Sequence, residues 1–448
     1  MISVILYIIA LISIFYLLNR KNYFLKTDLS NKTLSILLLI KVFAGFTLYY
    51  IYSNFYPDRK LADIFKYYDD SQVLIRVLYE DPMSFFKILL GFQNDNTHSG
   101  YFNEMYTWYT SGFGSDSLIN DSRALIRLSA IFHFLSFGNY HLHTFLFSLL
   151  GFFGQLFMYK GMRIISAKEN KLIIITACFL LPSVVLWSSG ILKESIVILG
   201  IGLIVFSIAN LLIKKKNSFL TMIGGVFCLT FYKYYILICL IPAFIPIFLN
   251  KYWSFKKVFV VSLVTIVTLG LLAINLPSIG IPIDIMNMFA KKHDDFYLLA
   301  LQMDAGSISY IGKYKPFLVE FLPKLPLAFL NVFLQPFPHL LFQYPSLTLI
   351  PAIIENTFLV LFPLVFLKTI VKPKKEALCF ILFSLIFIII LYLITGLTTP
   401  VIGGLVRYKV PALSVYIFSL SLLVDPNKFT NRYFIRIRNI FKNVFFIE

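Results

Sequence analysis

Apolar runs long enough to cross a lipid bilayer recur along this chain, and most are closed by a cluster of lysines and arginines. In lipid, backbone N–H and C=O groups must be paired within a helix or a closed barrel. Alternating ten-residue strand patterns are absent, which excludes an outer-membrane barrel. Of 448 residues, 58% are hydrophobic and 14% charged, too little polar surface for a soluble chain of this length. The sequence therefore predicts an all-α polytopic membrane protein.

The net charge of +18 would suit a nucleic-acid partner, but its distribution argues otherwise. Basic clusters fall at Arg20–Lys32, Lys160–Lys171, Lys214–Lys216, Lys251–Lys257, Lys368–Lys375 and Lys428–Lys442. Placing them all in the cytoplasm satisfies the positive-inside rule. Together with the flanking Glu376, Asp425 and Glu448, these segments hold 23 basic and 5 acidic residues, an excess equal to the whole net charge of +18. Basicity is a topology signal here, with some attraction to anionic lipid.

About eleven transmembrane helices follow, near residues 1–18, 33–55, 140–158, 172–187, 194–213, 218–232, 235–250, 258–276, 352–371, 377–396 and 409–424. They make one membrane domain, 1–424, with a basic cytoplasmic tail at 425–448. The first run lacks a basic n-region and a cleavage site, so it reads as a retained span. Phe231–Tyr235 marks a tight outer hairpin with aromatic anchors. Two long extracytoplasmic loops, 56–139 and 277–351, carry interfacial helices. The proline-rich stretch Phe317–Pro351 must enter and leave on one side, as re-entrant helices or as a helical hairpin. The four cysteines lie inside apolar runs without CxxC spacing and read as core residues.

Three polar stretches stand out at the outer face. Ala62–Ser71 holds Asp63, Asp69 and Asp70 at a membrane edge, where a carboxylate is either solvated or functional. Any of them suits a general base. In Leu181–Ser195 a span turns at Ser188-Ser189-Gly190 and a new helix carries Lys193 in its first turn. Free backbone N–H groups beside an ammonium suit an anion; a Lys193–Glu194 or Lys193–Asp pair that ties spans together is the plainer reading. In Gly403–Pro411, Arg407 beside Tyr408 suits bidentate phosphate binding or interface anchoring. Lys233, among tyrosines, has the same two readings.

With these residues in hand, the chain resembles the GT-C glycosyltransferases, polytopic enzymes that use polyprenyl-phosphate-linked sugars. An Asp63 segment with Tyr67 and Tyr68 opens the first outer loop, and Pro182-Ser183 leads through Trp187-Ser188-Ser189-Gly190 to Lys193-Glu194. Arg407-Tyr408 with Pro411 is similar to an Arg-Tyr segment of the class. The resemblance implies inverting transfer at the outer face of a bacterial inner membrane, to a glycan, lipid or protein acceptor. Asp63 matches the base, with Asp70 as runner-up and Asp69 in support. Lys193, Lys233 and Arg407, with Ser188 and Ser189, match donor-phosphate ligands. Tyr67, Tyr68, Trp187, Glu194 and Tyr408 are placed with the substrates. No metal ligands are assigned, and a divalent metal stays open. An extra span precedes the Asp loop, and a large soluble C-terminal domain is missing; both depart from the pattern.

Two other readings compete. A surface-polysaccharide polymerase or ligase would use paired outer arginines, for which Arg123 and Arg127 are the candidates. A flippase or transporter would place charges deep inside spans, where only Lys41 lies deep and Glu355 sits near an outer end.

Overall fold

The computed structural model describes residues 27–445 and the isolated residue 13, apart from 57, 93–95, 110–119, 167–169, 215–217, 303–306, 310, 344–348, 367–368 and 429–431. The expected first span, 1–18, therefore lies outside the described residues. Helix is the only extended regular element among the described residues. Two isolated bridges, Ile308 with Val401 and Ile370 with Val424, join loops.

Six helices are long and apolar enough to cross a membrane. The first, α1, is Asn31–Phe55. Ser30 caps it, accepting from the Thr33 amide at 3.1 Å. After it come α2, Asp63–Glu80, and α3, Pro82–Leu90. Asp81 caps α3 and Gly91, at φ 83°, ends it. Asn120 starts α4, Asp121–Ser136, and Asn139 starts α5, Tyr140–Ile165, a second crossing helix.

The stretch expected to be one span at 172–187 is broken instead. It runs as Lys171–Ile175, a wide turn at Thr176–Leu180, and α6, Pro182–Trp187. Pro182 has no N–H to continue the ladder. The third crossing helix, α7, is Lys193–Leu212.

Helices α5 and α7 run parallel in close contact. A Cβ added at Gly202 would lie 2.0 Å from the Gly154 carbonyl oxygen, and one at Gly161 would press on Phe206. Gly202→Ala should therefore force the pair apart and lower stability by about 1–3 kcal/mol. Thermal unfolding in detergent reads this, with Gly270→Ala, which meets nothing, as the unchanged control.

Helix α8, Phe219–Ala243, leaves helical geometry at Lys233, φ −159° and ψ 72°. Its start bonds α7 near the Leu212 end, through Ser207 and Ser218. Lys233 reaches the opposite end of α7, at Glu194. Asn250 returns to meet Lys375 and Cys379. The helix is thus broken at Lys233, within the aromatic cluster.

The crossing helices α9, Phe255–Ile274, and, further on, Lys375–Thr398 complete the six. Between them lie α10, Ile285–Gln302; α11, Lys324–Leu334; and α12, Leu349–Phe366. Lys375–Thr398 is α13, followed by α14, Ile402–Tyr408; α15, Val410–Ser421; and α16, Arg432–Val444. At eleven residues α11 is too short to cross. It packs on α13, its Ala328 carbonyl against Gly396. The chain then comes back to Leu340, which touches Ile402 and Val406.

Contacts gather several basic clusters at one end of the bundle. Asp28 holds Arg163 at 3.0 Å and Lys171 at 3.7 Å. Asn170 donates to the Ser421 carbonyl, and the Asp425 amide donates to Thr369. The starts of α2, α4, α7 and the short α14 lie at the other end.

Candidate functional site

The polar cluster is built where helix ends meet. Leu48 and Tyr52 of α1 pack with Ile64 and Phe65 of α2 and with Leu192. This seats the start of α2, and Asp63 in its first turn, beside the start of α7. A carboxylate in a first helical turn is favoured by the helix dipole. Lys193 and Glu194 open α7, Lys233 sits at the break of α8, and Arg407 lies in the last turn of α14.

Arg407 joins them. Its Nη1 donates to Asp63 Oδ2 at 2.7 Å. Its other edge grips Glu194 bidentately, Nε to Oε1 at 2.8 Å and Nη2 to Oε2 at 2.9 Å. Lys233 donates to the same Glu194 Oε1 at 2.8 Å and lies 4.4 Å from the Tyr408 ring. Lys193 pairs with Asp121 at 2.9 Å, donates to Ser122 at 3.1 Å and lies 5.4 Å from the Tyr67 ring. Trp187 stands 5.7 Å from the Arg407 guanidinium.

Exposure separates the two central carboxylates. The Glu194 side chain is 1% exposed and Asp63 36%. Asp63 is thus the carboxylate open to an incoming group. Burial disfavours its charge, but the Arg407 charge and hydrogen bond outweigh that, with Lys66 and Lys193 adding to them. The Asp63 carboxyl is held below the usual carboxylate range. Burial raises the Tyr67 phenol, against the pull of Lys193, so it stays protonated.

Of the residues singled out in the sequence, Asp63, Lys193, Glu194, Lys233 and Arg407 come together, with Tyr67, Trp187 and Tyr408 beside them. The others are placed differently. Asp70 accepts from the Tyr106 and Thr107 amides at 2.7 and 2.9 Å and from the Thr107 hydroxyl; it fastens the loop onto α2. Asp69 pairs with Arg59 at 2.7 Å. Tyr68 donates to the Gly138 carbonyl at 2.6 Å. Arg123 and Arg127 are buried: their Nε atoms donate to the Trp108 and Ile88 carbonyls, and both guanidinium groups lie against the Trp108 ring. The arginine pair on which the polymerase reading leaned thus binds backbone carbonyls within the 56–139 segment. The Ser188 and Ser189 hydroxyls donate back to the Val184 and Val185 carbonyls, in the way serines close a helical turn in apolar surroundings.

Asp121 and Lys66 belong to the cluster and were missed in the sequence. Asp121 follows Asn120, a helix-cap residue, and that cap was the available signal. Among the described residues no three His, Cys, Asp or Glu side chains form a metal cage. Comparison with protein-family models, curated proteins and solved structures finds no match.

Asp70→Ala should loosen the Tyr106–Thr107 loop and lower stability by about 1–3 kcal/mol. Limited proteolysis would show faster cleavage there, with the Asp63 cluster left intact.

Proposed function

We propose that this chain is an integral membrane glycosyltransferase that moves a sugar from a polyprenyl phosphate carrier to a hydroxyl acceptor. The observation that carries the reading is the convergence of Asp63, Glu194, Lys193, Lys233 and Arg407, drawn from distant segments, at the end of the bundle opposite the gathered basic clusters. In this reading the basic end faces the cytoplasm and the cluster faces out. On this reading the chain crosses a bacterial inner membrane about eleven times.

Asp63 takes the proton of the acceptor hydroxyl as its oxygen bonds to the anomeric carbon, and the carbon–oxygen bond to the polyprenyl phosphate breaks with inversion. Arg407 keeps Asp63 ionised and aimed. It is fully engaged by two carboxylates, so its role moves from phosphate ligand to positioning. An ammonium has three N–H donors; Glu194 takes one from Lys233, while Asp121, Ser122 and Tyr67 engage those of Lys193. The remaining Lys233 donors face the leaving phosphate, and Lys193 adds its charge. The apolar carrier lies in the bilayer, and Tyr67, Trp187 and Tyr408 wall the sugar.

Lys193→Met and Lys233→Met should raise the donor KM by about tenfold, with kcat less affected. A fall in kcat alone, at unchanged KM, would remove the phosphate role. The Asp63 carboxyl is lowered in the folded protein. The stability it contributes is present above the unfolded carboxylate value, about pH 4, and lost as pH falls through the lower folded value. Transfer should therefore show no Asp63 titration between about pH 5 and 8. An acid limb near pH 6 that Asp63→Glu shifts would contradict the assignment.

A further inference from the structure

Among the buried ionisable side chains that take no part in the polar cluster, Lys41 and Glu355 stand out, and Lys409, also buried, offsets the Glu355 charge. Lys41, on α1, is 1% exposed; Glu355, on α12, is 5% exposed. A charge at such depth is costly and needs compensation. Both reach the same short segment, α6, at its opposite ends.

The ladder of helix bonds is interrupted before Pro182 and after Trp187, so α6 has two ends inside apolar surroundings. Each end leaves backbone groups in need of partners. The residue before α6 is Leu181, which has no side-chain oxygen to cap it. Glu355 supplies one from another helix: its Oε2 accepts from the Ser183 amide at 2.8 Å and from the Ser183 hydroxyl at 2.5 Å. At the far end the Ser188 hydroxyl donates to the Val184 carbonyl, and the Lys41 ammonium donates to that same hydroxyl. A carboxylate at the first end and an ammonium at the last match the partial charges of the helix termini. Gly151 of α5 keeps the space open. A Cβ there would lie 2.3 Å from the Ser188 carbonyl oxygen and 3.1 Å from Lys41 Nζ.

From Ser188 the chain runs straight on to Lys193 and Glu194. The Ser189 carbonyl, within that turn, is held by the Ser148 hydroxyl at 2.7 Å. We propose that Lys41 and Glu355 are positioning residues that clamp α6 from both ends and so fix the turn that delivers Lys193 and Glu194 to the cluster. This deepens the reading of that cluster as a site, while its test needs no substrate, so failure of one is distinguishable from failure of the other.

The test is hydrogen–deuterium exchange on the full chain in lipid nanodiscs, followed by mass spectrometry. Lys41→Met should speed exchange of the amides from Ser188 to Lys193 by about tenfold, with smaller change at Ser183 and Val184. Glu355→Leu should do the reverse, loosening Ser183 and Val184 most. Lys41→Arg keeps a charged donor and should restore protection. Gly151→Ala leaves both charges in place, displaces the Ser188 carbonyl and should reproduce the Lys41→Met pattern; it carries the test if Lys41→Met does not fold. Wild-type exchange across 182–193 in the Lys41 and Glu355 variants would overturn the clamp. So would equal loosening of every helix without rescue by Lys41→Arg.

Discussion

Arg407→Ala lowers the stability of the protein by about 3–5 kcal/mol, the cost of removing one partner from a buried ion-pair network. Glu194 loses two of its hydrogen bonds and keeps only Lys233 at 2.8 Å. It cannot recover them from water, because its side chain is 1% exposed. Asp63 loses its 2.7 Å partner too, and the burial that disfavours its charge is no longer outweighed. Arg407→Lys restores the charge but not the fork that holds two carboxylates at once, so it recovers only part of the loss. Thermal unfolding of the purified protein in detergent measures both. An Arg407→Ala protein as stable as the wild type would mean that the guanidinium is a surface anchor.

The second large effect is chemical. Asp63→Asn keeps the shape of the side chain and an oxygen for the Arg407 hydrogen bond, but it cannot take a proton. A general base contributes about 10²–10⁴-fold to rate, so under the proposed function the glycan product in cells should fall at least about a hundredfold. Expression and unfolding temperature should change far less than in Arg407→Ala. Asp70→Asn should leave the glycan near wild-type level, because Asp70 is held by the Tyr106–Thr107 loop.

Much of this was legible in the sequence, and the rest depended on distant partners. Long apolar runs bounded by basic residues gave the crossing helices, since burial in lipid leaves the backbone few choices. The Phe231–Tyr235 cluster, read as a hairpin, falls on the helix break at Lys233. The broken course of 171–187 was not legible: the ends of α6 are held by Lys41 and Glu355, far away in the chain. Asp63, Lys193, Lys233 and Arg407 were visible as polar residues at the ends of apolar runs. Their mutual pairing was not, and in the proposed function it moves Arg407 from phosphate ligand to the residue that aims Asp63. Arg123 and Arg127 looked like an outer pair because Trp108, which packs against both, lies in the preceding loop. Ser188 and Ser189 looked like anion ligands until their hydroxyls were seen to close the end of α6.

The most direct test is mass spectrometry of carrier lipids and glycans extracted from cells whose only copy of this chain is wild type or Asp63→Asn. The account predicts that the Asp63→Asn cells accumulate a polyprenyl-phosphate-linked sugar, together with an acceptor lighter by that one sugar. Identical carrier-lipid and glycan profiles in the two cell lines, with the variant expressed and folded, would contradict it.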